Sequence, residues 1–88
     1  MPYIDKKSRK AIEPELKALI KKLKTMPMEK VDGHINYCIS TMMKELYKPS
    51  YFNYNRMMGV AACVQQELYR RLAAPYEDKK IKENGDVF

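Results

Sequence analysis

The side chains able to recognise a ligand are tyrosines, asparagines and arginines. There are seven tyrosines and no tryptophan in the 88 residues. A tyrosine ring offers a stacking face and its hydroxyl a hydrogen bond. Tyr37, Tyr54 and Tyr69 stand beside Asn36, Asn55, Arg70 and Arg71 in the sequence. Rings on a base, amides on polar edges and guanidiniums on phosphate would make a nucleotide site. Single-stranded nucleic acid is held by the same chemistry. The structural alternative is a set of half-buried tyrosines at helix ends. Asn36, Ser40 and Lys44 follow one helical face, and an asparagine inside a helix calls for a hydrogen-bonding reason.

Catalysis has little to build on. His34 stands alone, and no serine or cysteine has an evident base. The acids Glu67, Glu77, Asp78 and Asp86 are scattered rather than paired on one wall. Gly33, Gly59 and Gly85 are isolated, so no phosphate loop is formed. Cys38, Cys63 and His34 lack the spacing of a structural zinc site. The expectation is a protein that is not an enzyme, with no metal and no cofactor. The two cysteines read as reduced, buried thiols of a cytoplasmic protein.

These side chains need helices to position them. Tyr51 to Ala74 is the longest uninterrupted stretch, roughly 35 Å as a helix. Met57, Ala61, Val64, Leu68 and Leu72 recur on one of its faces. Asn55, Gly59, Ala62, Gln66 and Arg70 recur on another. Small residues there would let a second helix approach closely, within one subunit or between copies. The Gly59/Ala62 face is therefore the expected surface of a homo-oligomer.

The whole chain reads as one small all-α domain, 1–88. Its three main helices are expected at about 14–25, 33–47 and 51–74, with short terminal turns and the third helix central. Asp5 would cap a first turn and Pro14 would open the first main helix. Leu16, Leu19, Ile20 and Leu23 give that helix an apolar stripe. Residues 25–30 read as a connection, with Asp32 capping the second helix. Ser50 would cap the third and Pro75 would end it. A short last helix would stop at Gly85, leaving a docked tail, Asp86-Val87-Phe88. No run approaches the ~20 apolar residues of a membrane span.

The net charge is +6. Residues 1–24 carry eight Lys/Arg against three acids, a net of +5. Such a field favours anions, whether nucleotides, nucleic acid or an acidic protein.

Several stretches carry a resemblance. Pro2-Tyr3-Ile4, Gly33-His34-Ile35-Asn36-Tyr37, Tyr54-Asn55, Leu68-Tyr69-Arg70-Arg71, Pro75-Tyr76-Glu77 and the end Lys82 to Phe88 occur in this order. Together they resemble an uncharacterised family of small proteins from phages and prokaryotes. His34 stands where that pattern has an acid, and Phe88 where it has a tyrosine. The resemblance implies a phage or mobile-element setting and the host cytoplasm. There, small proteins of this general kind include oligomeric sponges that sequester nucleotide signals of host immunity. The functional expectation is therefore a non-enzymatic homo-oligomer that binds such a nucleotide-derived molecule in an anti-defence role. The alternatives are a basic nucleic-acid-binding protein, using Lys6, Lys7, Arg9, Lys10, Lys17, Lys21 and Lys22, and a protein-binding inhibitor of a host factor.

Overall fold

A computed structural model describes residues 3–88, and every regular element among them is helical. The order is α1 (Lys6–Lys24), α2 (Met28–Leu46), α3 (Tyr51–Leu68), a π-helical turn (Tyr69–Ala73) and α4 (Ala74–Asn84). The fold is all-α. The chain divides into two compact units, Met1–Lys48 and Pro49–Phe88.

In the first unit, α1 starts where the sequence marks its cap. Asp5 is extended and its carboxylate accepts the Ser8 N–H at 2.7 Å. That bond holds the Asp5 carboxyl below its ordinary range. The Ile4 carbonyl accepts a hydrogen bond from Arg9 Nε at 2.7 Å, which ties down the start of the described chain. Met1 and Pro2 lie outside the described residues. The helix then runs through Pro14 instead of beginning there, so it spans 6–24 and not 14–25. The proline φ suits a helix, and the surrounding residues 10–12 and 14–18 are all exposed, so water can reach the backbone groups that the ring leaves unbonded. Lys21, Lys22 and Lys24 sit in the last turn, at the negative end of the dipole.

The connection is shorter than the sequence suggests. Only Thr25 to Pro27 lie between the helices. Extended Pro27 sets the start of α2 at Met28, and Glu29 occupies the favourable first turn. Asp32 is consequently inside the helix and is not its cap. His34 donates from Nδ1 to the Lys30 carbonyl at 2.7 Å, one turn back along α2.

The second unit is one continuous helical segment from Tyr51 to Asn84, about 50 Å long at 1.5 Å per residue. Ser50 caps it as expected, its hydroxyl accepting the Asn53 N–H at 3.0 Å. Pro75 does not end it. Pro75 has no N–H to offer the carbonyl four residues back, and its ring would press on that carbonyl. The backbone widens instead: the Ala74 N–H donates to the Tyr69 carbonyl five residues earlier. One π-turn thus relieves the clash and the helix continues. Gly85 does end it, with φ of 89° and its N–H on the Ile81 carbonyl at 2.8 Å.

No described residue is buried. Neither unit by itself therefore encloses a core. In the first unit, Leu19, Leu23, Met26, Val31, Cys38, Met43 and Tyr47 are half covered. In the second, Met57 and Val60 are half covered, while Leu68 and Leu72 on the apolar stripe stay 53% and 66% exposed. Two further expectations fail for the same reason. The cysteines are free but not buried, Cys38 being half covered and Cys63 exposed. The tail is not docked: Val87 and Phe88 are exposed, and the Phe88 N–H turns back onto the Asp86 carboxylate at 2.9 Å.

Candidate ligand-binding residues

The seven candidate residues fall into three groups. Asn36 and Tyr37 lie on α2 in the first unit. The Asn36 amide oxygen accepts from the Ser40 hydroxyl at 3.3 Å, one turn on, which accounts locally for an asparagine within the helix. Tyr37 is largely exposed.

The other two groups share the second unit. Tyr54 and Asn55 are near the start of α3, while Tyr69, Arg70 and Arg71 occupy the π-turn. Fifteen residues of helix separate Tyr54 from Tyr69, about 20 Å along the axis. Within this unit the two groups do not share one pocket.

The π-turn organises its own surroundings. In regular α-helix, residues eight apart end about 80° apart around the axis. A turn closed over five residues removes much of that angle, and the Tyr69 hydroxyl donates to the Glu77 carboxylate. That bond, then the Glu77 charge, hold the Tyr69 hydroxyl above its ordinary titration range, so it stays protonated. Arg70 Nη2 donates to both Glu67 carboxylate oxygens at 3.2 and 3.0 Å. Arg71 makes no hydrogen bond or ion pair among the described residues. An incoming phosphate would meet a free Arg71 at once. It would have to compete with Glu67 for Arg70.

Glu67 and Glu77 thus hold two of the candidate residues, although spacing alone reads them as scattered acids. Glu67 was findable, because an acid three residues before an arginine is a standard helical pair. Glu77 was not, because its partner lies at a spacing that only the π-turn makes close. Towards the start of α3 the Arg56 guanidinium lies 5.8 Å from the Phe52 ring centre, and on α4 the Lys80 ammonium lies 5.5 Å from that of Tyr76.

Two shallow concavities, both open to solvent, lie within single units. One follows the start of α1, where Lys6, Arg9 and Lys10 rim Ile12 and Leu16. The other is formed by Tyr76, Lys80, Ile81 and Val87 at the C-terminal end. Among the described residues, no group of three His, Cys, Asp or Glu could hold a metal ion, and no helix is long and apolar enough to cross a membrane.

No curated protein and no solved structure matches the chain. A family model described as a domain of unknown function (DUF6899) matches residues 1–87, and the chain belongs to that family.

Proposed function

We propose that this is a non-enzymatic binding protein that works as a homo-oligomer and holds a small anionic ligand of nucleotide type. The observation that carries the reading is the π-turn. It presents the exposed Tyr69 ring, its hydroxyl held by Glu77, beside an unpaired Arg71 and an Arg70 held by Glu67. A stacking surface next to cations is what a base joined to phosphate requires. π-turns cost regular hydrogen bonding and often coincide with functional positions. The oligomer is supported by the absence of a core within either unit, since such short helical segments need further apolar cover to be stable. In a phage or mobile-element setting the role is sequestration of a host signalling nucleotide in the cytoplasm, which needs affinity and enclosure but no chemistry.

The test is calorimetric titration with a panel of linear and cyclic nucleotides. Saturable binding at a fixed ratio per subunit, weakened at least ~10-fold in Arg71→Ala, supports the reading. No heat with any nucleotide at high micromolar concentration rejects it.

A second reading is favoured by the charge of α1. Lys6, Arg9 and Lys10 line one concavity, and the helix ends on three lysines. In that reading the protein binds nucleic acid by its phosphates, and affinity for mixed DNA or RNA falls steeply with salt. Salt-independent or absent binding rejects it.

A further inference from the structure

The second unit carries a helix face whose residue types read the same in both directions. Phe52, Asn55, Gly59, Ala62, Gln66 and Tyr69 follow one another at steps of three, four, three, four and three. That is the spacing of a coiled-coil seam, and it is symmetric on reversal. The types are symmetric too: aromatic, amide, small, small, amide, aromatic. A face of this kind matches a second copy of itself running the opposite way, the requirement of a two-fold interface.

We propose that two copies pair antiparallel through this face, about an axis between Val60 and Ala61. Gly59 then meets the partner's Ala62, Asn55 meets the partner's Gln66, and Phe52 meets the partner's Tyr69. All six residues are exposed, and nothing within the second unit covers them. Asn55 and Gln66 make no side-chain hydrogen bond among the described residues, and two amides face to face satisfy each other. A side chain at Gly59 would meet nothing within 4 Å. Nothing within the second unit accounts for a residue that weakens a helix, whereas close approach of a second backbone does. The seam stops at Tyr69, where the π-turn changes the helical phase.

The pairing rests on the oligomeric reading above and deepens it, because it completes the ligand site. Tyr54 and Asn55 lie about 20 Å from Tyr69 along one helix. In the pair Tyr54 comes within about 5 Å, along the axis, of the partner's Tyr69. Each pair then has two equivalent sites, each built from both copies.

The test uses the full chain without ligand. Equilibrium sedimentation is expected to give a dimer or a multiple of it, and a monomer at high micromolar concentration overturns the proposal. Direction is read with one nitroxide label at Lys79→Cys, on a Cys38→Ser, Cys63→Ser background. The antiparallel pair puts the two labels about 55 Å apart, and a parallel pair puts them at about 10–20 Å. Gly59→Leu is expected to raise the dissociation constant at least ~100-fold. Should that variant fail to fold, Gly59→Ala serves. Alanine favours a lone helix, so a lower melting temperature with concentration dependence supports the seam and a higher, concentration-independent one overturns it. A dimer with close labels removes the pairing but leaves ligand binding standing. An antiparallel dimer that takes no nucleotide keeps the pairing and removes the ligand reading.

Discussion

Replacing Pro75 by alanine tests why the π-turn exists. Alanine supplies the missing N–H and removes the ring that presses on the preceding turn. The segment can then close as regular α-helix from Tyr51 to Asn84. Proline inside a helix is less favourable than alanine by about 3 kcal/mol. The π-turn already relieves part of that, so the variant gains stability by up to about 3 kcal/mol. The geometric consequence is sharper. Without the wide turn, Glu77 lies about 80° around the axis from Tyr69. A rotation of that size at a helix surface separates the two side chains beyond hydrogen-bond reach. The Tyr69 hydroxyl, held above its ordinary value of 10.0 mainly by Glu77, should fall back towards that value. Carbon NMR of ring-labelled tyrosine, with Tyr69→Phe to assign the signal, reads the change directly. In the unaltered protein Tyr69 is expected to titrate above its ordinary value, and in Pro75→Ala to return towards it. A Tyr69 that still titrates high in Pro75→Ala would refute the claim that Pro75 sets this turn. Ligand affinity should weaken in parallel, since Arg70 and Arg71 rotate with it.

Three further outcomes follow from the same structure. Ser50→Ala removes the acceptor for the Asn53 N–H and should destabilise the second unit by about 1 kcal/mol in chemical denaturation, with Ser50→Asp restoring most of it. Asp5 has a folded-state pKa below its unfolded value, so its cap stabilises above the unfolded value and is lost as pH falls through the folded one. Helicity of the first unit should therefore drop below pH 3.8 in the unaltered protein, and Asp5→Asn should flatten that limb of the profile. Glu67→Gln frees Arg70 from its carboxylate and should tighten binding of a phosphate-bearing ligand several-fold, read by calorimetry, whereas a merely structural Glu67 would leave affinity unchanged.

The helical class and three of the helix ends were legible because the signals are local. Asp5, Ser50 and Gly85 act on backbone groups within three or four residues, and each does what its type predicts. The prolines misled for a common reason. A proline disfavours the helix around it, but whether the helix stops depends on what can absorb the lost bond. At Pro14 the surrounding residues are exposed to water, and at Pro75 the turn widens. The sequence after Pro75 held the clue. No glycine intervenes between the long stretch and Gly85, although Glu77 in the first turn of α4 and Lys82 in its last also suit a helix that starts afresh. Burial was the least legible property. Apolar stripes on α1 and α3 predict cover, but a stripe does not say which surface covers it. In the candidate site, the bond between Arg70 and Glu67 follows ordinary helical spacing, while that between Tyr69 and Glu77 depends on one irregular turn.

Binding of a nucleotide-type anion by an oligomer of identical chains can be weighed directly. Native mass spectrometry, before and after adding nucleotides and a short oligonucleotide, reads both the subunit number and the mass of any bound molecule. The expected result is an even-numbered homo-oligomer that takes up a discrete small adduct, in a fixed ratio to subunits. A bare monomer, or one that takes up only the oligonucleotide, would contradict it.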